Sequence, residues 1–192
     1  GEAADDQSGY SVSLSADGTI VAIGAYLNDG NGENSGHVRV YQHDGTAWNQ
    51  LGDDIDGEAA DDQSGYSVSL SSDGTTVAIG ANYNDDNGNN SGDVRVFKYN
   101  NNAWGQIGGD IDGEAVGDQS GWSVSLSADG TIVAIGAPFN DGNGNSSGQV
   151  RVYEYAISGV VLTTGSQEID GIKKFTNTID GDIDGNAATA TK

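Results

Sequence analysis

The chain repeats itself every 56 residues. The text that opens with Gly-Glu-Ala at residue 1 returns at residue 57 and again at residue 113. A fixed period of this size is typical of one supersecondary unit copied in tandem, because each unit needs its neighbours to bury an apolar face. We therefore divide the chain into copy 1 (residues 1–56), copy 2 (57–112), a truncated copy 3 (113–157) and a tail (158–192).

The pattern within one copy predicts four strands. Residues 10–15 alternate apolar and small polar side chains, and the Asp-Gly pair at 17–18 favours a tight hairpin turn. Residues 19–25 form a β-branched apolar run, which is typical of a strand covered on both faces. Residues 37–42 and 47–51 complete the unit around a second Asp-Gly turn. The prediction is an all-β fold of four-stranded antiparallel meanders, which pack face to face without helices.

The composition is strongly acidic, with 29 Asp and Glu against 7 Lys and Arg and a net charge of −22. Phosphate binding needs clustered basic residues, so we expect no nucleic-acid partner. The apolar runs are too short to span a bilayer, which predicts no membrane insertion. Cysteine is absent, so disulfides and thiolate metal sites are excluded. Because residue 1 is Gly and not Met, we expect a processed chain or a piece of a longer one.

Copy 3 carries the most recognisable motif. Ala-Ile-Gly-Ala-Pro at 134–138, the loop at 139–148 and Gln-Val-Arg-Val-Tyr at 149–153 resemble the FG-GAP repeat of integrin-α-type β-propellers. Ser-Ala-Asp-Gly-Thr at 15–19 is similar to the first hairpin of many bacterial propeller repeats. The resemblance implies propeller blades. FG-GAP repeats usually carry an Asp-x-Asp-x-Asp-Gly calcium loop at this hairpin, and its absence here predicts no calcium at that position.

Three blades are too few to close a propeller, which typically has four to eight. Either blades are missing from this chain, or chains associate, or the sheets stack in another way, such as a three-sided prism. Copy 3 also lacks the Trp-containing fourth strand, for which residues 160–162 are a candidate substitute. An exposed sheet edge would remain in a monomer, and assembly usually removes such an edge. The expected fold is propeller-like, completed by further blades or by oligomerisation.

The tail differs from the repeats. Residues 164–175 resemble a segment common in phage tail-fibre proteins, with the pattern T-G-x-Q-x-I-x-G-x-K-x-F, and residues 186–191 match the end of that segment. The resemblance implies an elongated homotrimer in which short strands from three chains wrap around one axis. The tail isoleucines are too sparse to build a core within one chain, but three chains could bring them together. The alternative is a flexible linker, since Gly-Asn-Ala-Thr runs also suit disorder.

A loop rich in Asp and Asn recurs between the second and third strands of each copy. Alternating Asp and Asn oxygens suit a hard cation such as Ca²⁺, which binds six to eight oxygens. Only one carboxylate per loop is common to all copies, and Asx turns stabilise such loops without a metal. Ca²⁺ is the one cofactor that the sequence indicates. The candidate metal ligands are Asp29, Asn31, Asp85, Asn87, Asp141 and Asn143.

Two other sets of side chains recur at the repeat period. The only arginines, Arg39, Arg95 and Arg151, share one position and predict a repeated blade-to-blade ion pair. The candidate partners are two recurring sets of acids, at positions 6, 62 and 118 or at positions 2, 58 and 114. Aromatic residues recur at positions 10, 66 and 122 and at positions 48 and 104. We expect these aromatic residues to fill gaps between sheets rather than to stack on sugar rings.

Both histidines, His37 and His43, occur in a single copy, so no catalytic residue is predicted. The pattern as a whole favours a non-catalytic structural and adhesion component of an extracellular or virion-surface fibre. Such a protein would present its Asn-, Asp- and Gly-rich loops to a cell-surface receptor or glycan, and a homotrimer is the expected assembly. The alternatives are a secreted bacterial adhesin built from the same repeats and a fibre-borne glycan hydrolase.

Overall fold

The computed structural model describes residues 1–156 and, beyond them, the backbone of three short strands at 160–161, 166–169 and 172–175. These described residues form strands, turns and bends, and none of them is helical. Accordingly, a search of them for an apolar helix long enough to cross a bilayer finds no candidate. The all-β prediction is confirmed.

Copy 1 forms one antiparallel sheet in the order β1-β2-β3-β4, with β5 paired to the start of β3. The strands are β1 (Ser11–Leu14), β2 (Ile20–Ala25), β3 (His37–His43), β4 (Trp48–Gln50) and β5 (Ile55–Asp56). Each bound of β1 to β4 lies within one residue of the sequence prediction. The predicted four-stranded meander is confirmed.

Copy 2 repeats this sheet in the order β6-β7-β8-β9. Its strands are β6 (Ser67–Leu70), β7 (Thr76–Ala81), β8 (Asp93–Asn100) and β9 (Ala103–Gln106). The strand register is the same as in copy 1, since Ser11 lies opposite Gly24 and Ser67 lies opposite Gly80.

Copy 3 contributes three full strands and completes its sheet differently. The strands are β10 (Ser123–Leu126), β11 (Ile132–Ala137), β12 (Gln149–Ala156), β13 (Val160–Val161), β14 (Ser166–Ile169) and β15 (Ile172–Phe175). The short β13 pairs with the end of β12, where β9 pairs in copy 2. Parallel to the start of β12 lies β15, with β14 antiparallel beside it. Most of the predicted trimerising segment, residues 158–192, lies outside the described residues.

Two apolar clusters lie between successive sheets. The first joins Val38 and Val40 of copy 1 to Leu70 and Ile79 of copy 2. The second joins copies 2 and 3, and its buried members are Ala78, Val94, Val96, Ile111, Val133, Ile135 and Tyr155. We call the face of a sheet that carries Val38 and Val40, or their equivalents, its rear face, and the face that carries Leu70 and Ile79, or their equivalents, its front face. Each junction therefore buries the rear face of one sheet against the front face of the next. This is the face-to-face packing that the repeat predicts.

The segment that leads from copy 1 to copy 2, residues 53–64, is tied to the preceding loop of copy 1. We call this segment, and its equivalent at residues 109–120, the crossover. The Gly57 N–H donates to the Gly36 carbonyl at 2.8 Å, and the Ser64 N–H donates to the Ser35 carbonyl at 2.9 Å. Further along, a Cβ on Gly80 of copy 2 would collide with the carbonyl oxygen of Gly121 in copy 3. Glycine at this position therefore permits the close approach of neighbouring sheets.

Candidate functional site

The loops predicted to bind calcium connect the second strand of each copy to the third, so they all lie at the same end of the strands. We call this end of the strands the loop edge. The Asp29 carboxylate accepts the backbone N–H of Asn34 at 2.7 Å. Asp85 and Asp141 accept the corresponding N–H groups of their own loops at 2.7 and 2.6 Å. These carboxylates brace their turns from within, as Asx interactions do.

The asparagines of these loops point to a different partner. Asn31 donates its side-chain amide to the Gly57 carbonyl at 2.8 Å, and Asn87 donates to the Gly113 carbonyl at 2.7 Å. Both acceptors belong to the following copy. In copy 3 the backbone N–H of Asn143 donates to the Ser147 hydroxyl of its own loop at 3.2 Å. The side chains of Asp29, Asn31, Asp85, Asn87 and Asp141 thus have structural roles, and calcium binding by the six residues stays a prediction.

Arg95 holds the segment that crosses from copy 1 to copy 2. Its guanidinium donates to the Asp56 carbonyl at 2.8 Å and to the Ser64 hydroxyl at 3.3 Å. In copy 3, Arg151 donates to the equivalent Asp112 carbonyl at 2.6 Å. The recurring arginine is therefore a clamp on the crossover backbone.

The predicted ion pair joins two residues of the same copy and not residues of neighbouring copies. Arg39 lies 3.0 Å from Glu2, and Arg95 lies 3.7 Å from Glu58. The aspartates considered as alternative partners serve the turns instead. Asp62, for example, accepts a backbone N–H of the turn before it and an amide of the following loop.

Three carboxylates converge where β8 begins. Glu58, Asp93 and Asp110 each place one oxygen within 4.8 Å of the other two. Asp93 is only 1% exposed, and neither of its carboxylate oxygens has a hydrogen-bond partner among the described residues. Burial raises the pKa of Asp93 well above its usual range, and burial also raises the pKa of Glu58, although Arg95 opposes that shift. We call these three residues the acidic cluster.

The position of Asp93 holds a different buried side chain in each copy. In copy 1 it is His37, whose Nδ1 lies 3.7 Å from the Asp54 carboxylate. In copy 3 it is Gln149, whose amide donates to Glu114 at 2.9 Å. Sequence reasoning passed over this position because it is not shared between copies. The signal that could have revealed it is the pair of acids that recurs around it at positions 2 and 54 and at positions 58 and 110.

A cleft opens beside the arginine at each junction. The cleft at Arg95 has a volume of about 190 Å³ and is partly lined by Trp104. The equivalent cleft at Arg151 has a volume of about 410 Å³. The crossover segments that form one wall are rich in Asp, which favours cationic over anionic ligands.

A row of aromatic rings crosses all three copies at the loop edge. The ring centroids of Tyr10 and Tyr66 are 5.1 Å apart, and those of Tyr66 and Trp122 are also 5.1 Å apart. Tyr26 packs against Tyr10 at 4.4 Å, and Phe139 packs against Trp122 at 5.6 Å. We call these five residues the aromatic row. Its members Tyr10, Trp122 and Phe139 are 50%, 38% and 41% exposed.

The expected burial of the recurring aromatic residues is wrong for three of them. Tyr10 and Trp122 of the aromatic row are exposed, and so is Trp48, which packs against His43 at the opposite end of the sheet. Core packing is correct for Trp104, which lies against the first apolar cluster and donates its indole N–H to a copy 1 carbonyl at 2.6 Å. Exposure therefore depends on the copy and not on the repeat position.

Comparison with known proteins identifies the repeat. The family model described as FG-GAP repeat matches residues 1–41, 55–97 and 111–153. A sequence comparison with curated proteins gave no match.

Solved structures share the arrangement of sheets. A putative 6-phosphogluconolactonase from Bacteroides uniformis ATCC 8492 is 16% identical over 79% of this chain and 38% of its own, with a TM-score of 0.52. A complex of KlAtg21 with the coiled coil of AgAtg16 is 17% identical over 79% of this chain and 41% of its own, with a TM-score of 0.53. The chain spans about two fifths of the length of these structures, and at such identities the likeness concerns the fold alone.

Proposed function

The chain belongs to the FG-GAP repeat family, and from this premise we propose that it is a non-catalytic structural and adhesion module of an extracellular or virion-surface fibre. FG-GAP repeats are typical of extracellular or surface proteins, which are adhesion-type or propeller-like. Within this class, we propose that the loop edge binds a cell-surface glycan or receptor.

The aromatic row is the observation that carries the proposed binding. Its rings lie at the same edge of the sheets as the exposed Asn- and Asp-rich loops. Aromatic faces can stack on sugar rings, while neighbouring carboxylates and amides can hydrogen-bond to sugar hydroxyls. A row of rings about 5 Å apart across three copies offers one continuous surface, which suits an extended glycan better than a single small molecule.

A glycan array followed by calorimetry tests this surface. We expect Tyr10→Ala and Trp122→Ala each to weaken binding of the best glycan by about tenfold or more, because truncating an aromatic anchor typically costs over about 1.4 kcal/mol. Trp48→Ala is the matched control, since Trp48 is equally exposed but lies at the opposite end of the sheet. Unchanged binding in both row variants would contradict the proposal.

Uncovered sheet faces at both ends support assembly with further blades. Leu14 is 61% exposed, whereas Leu70, its equivalent in copy 2, is 7% exposed. At the other end Ile132 is 40% exposed, whereas Ile20 is 8% exposed. Inside the structure, a Leu-bearing face always packs on the face before it, so the two free faces are complementary. Further blades, from a longer chain or from other chains, would bury both faces.

The fibre form of the proposal rests on the tail, whose resemblance to tail-fibre segments predicts a homotrimer. Sedimentation equilibrium tests it directly. A mass of three times 19.6 kDa supports the trimeric fibre. A monomer would instead favour the secreted adhesin, which shares the binding role but needs no association.

A further inference from the structure

We propose that the acidic cluster of copy 2, formed by Glu58, Asp93 and Asp110, binds one Ca²⁺ ion that links the crossover segment to β8. This site is separate from the calcium predicted for the Asn/Asp loops. It shares no residue with them and depends on a contact between segments that are far apart in sequence.

The geometry of the cluster suits this ion. Ca²⁺ binds oxygens at 2.3–2.6 Å, so two oxygens on opposite sides of the ion lie at most about 4.6–5.2 Å apart. The three carboxylates fall within that limit, because their nearest oxygens all lie within 4.8 Å of one another. All donors are hard oxygens, which favours Ca²⁺ over softer metals such as zinc.

The coordination sphere can also be completed. Glu58 and Asp110 are exposed, so water can reach the outer side of the site. One oxygen of Asp110 already accepts the Gln106 amide at 2.6 Å, which orients the carboxylate. Supporting contacts of this kind hold ligand side chains in place at metal sites.

The buried Asp93 is the second and independent observation. It is 1% exposed, and both of its oxygens lack a hydrogen-bond partner among the described residues. An unpartnered buried carboxylate is costly, so native structures normally give it a donor or a metal. The guanidinium of Arg95 lies 3.7 Å from Glu58, and three carboxylates with this one cation leave an excess of two negative charges. A single divalent cation would balance that charge.

The other two copies supply a natural comparison. At the position of Asp93, copy 1 has His37 and copy 3 has Gln149, and both side chains carry N–H groups beside a neighbouring carboxylate. Only copy 2 places a carboxylate there, and a carboxylate has no N–H group of its own to donate to its neighbours. We infer that the ion in copy 2 takes the role that the imidazole and the amide have in the other copies.

The experiment uses the full chain freed of metal, titrated with CaCl₂ by calorimetry and melted with CaCl₂ or with EDTA. We expect one ion per chain at this site, with a Kd of about 0.1–1 mM, as in extracellular calcium modules. The melting temperature should rise with CaCl₂, since an ion that binds only the folded state stabilises it.

Two variants remove the site in different ways. Asp93→Gln introduces the residue that copy 3 carries, and we expect it to weaken Ca²⁺ binding by about tenfold or more. Its melting temperature in EDTA should equal or exceed that of the wild type, because an amide needs no cation. Asp110→Asn changes an exposed residue, so it tests the site even if the buried substitution prevents folding. We expect the same loss of binding.

The control is Asp85→Asn in the loop of the same copy, which should leave the cluster's binding unchanged. The proposal is overturned if the wild type binds no Ca²⁺, or melts at the same temperature with CaCl₂ and with EDTA. The latter result would indicate that Asp93 holds a proton instead of sharing a metal. It is equally overturned if Asp85→Asn alone abolishes binding, since the ion would then lie in the loop.

Discussion

Copies 1 and 2 carry the same Tyr-Ser-Val-Ser-Leu-Ser segment in the same strand register, yet they bury it differently. Leu14 is 61% exposed and Leu70 is 7% exposed. Copy 2 lies between two sheets, whereas copy 1 has one neighbouring sheet among the described residues. Identical residues therefore contribute different amounts of free energy to folding, because in a tandem repeat burial comes from the neighbours.

The largest expected effect is the loss of stability when a buried leucine is truncated. We expect Leu70→Ala to lower the free energy of unfolding by about 3 kcal/mol, because it opens a cavity in the first apolar cluster. Leu14→Ala, at the equivalent exposed position, should change it by less than about 0.5 kcal/mol. Urea unfolding of both variants measures the difference. Equal losses in dilute, monomeric protein would contradict this prediction. Equal losses that appear only at higher protein concentration would instead show that association buries the front face of copy 1.

A smaller difference in stability is expected between substitutions of two equivalent glycines, of which one lies against a neighbouring sheet. A Cβ on Gly80 would meet both Ser67 and the carbonyl oxygen of Gly121, whereas the three atoms nearest to a Cβ on Gly136 all belong to Ser123. We therefore expect Gly80→Ala to destabilise the chain by about 1–3 kcal/mol more than Gly136→Ala, since a backbone oxygen cannot easily move away. Thermal unfolding of the pair checks this. A larger loss for Gly136→Ala would contradict it.

The smallest effect concerns a local interaction that copies 1 and 3 share. In the first hairpin, hydrogen bonds from Ser127 and Thr131 lower the pKa of Asp129 to about 2, and equivalent bonds lower the pKa of Asp17. A carboxyl whose pKa is depressed in the folded state stabilises the fold above its unfolded pKa. That contribution is lost as pH falls through the folded pKa, so it should disappear between about pH 4 and pH 2.

Melting temperatures across this pH range test the equality. The gap between the wild type and Asp129→Asn should close as the pH approaches 2, and the gap for Asp17→Asn should close in the same way. Different curves for these two variants would show that neighbouring sheets affect even the hairpin turns.

The aromatic residues show where sequence reasoning stops. Trp48 and Trp104 share a repeat position, so one expectation covered both, yet only Trp104 lies against a neighbouring core. Tyr10 and Trp122 of the aromatic row are likewise expected between sheets, but both are exposed. Periodicity indicates which residues are equivalent, but it does not indicate which copy has a neighbour on a given side.

The acidic cluster was missed for a related reason. Its residues come from the crossover, the start of β8 and the segment after β9, and only the packing of these segments brings them together. The sequence partly predicts which acids pair with the arginines, because the recurring glutamates are one of the two candidate sets. The structure selects the glutamates and gives the aspartates to the turns.

The amino-acid sequence by itself determined the strands, their turns and their common register, because alternation of side chains and Asp-Gly turns act over a few residues. It also determined the family, through motifs that lie within single copies. Only the tertiary structure decided which leucine is buried, which ring is exposed and which carboxylates meet. Those properties arise from contacts between residues that are far apart in the sequence, and a pattern over a few residues carries no information about such contacts.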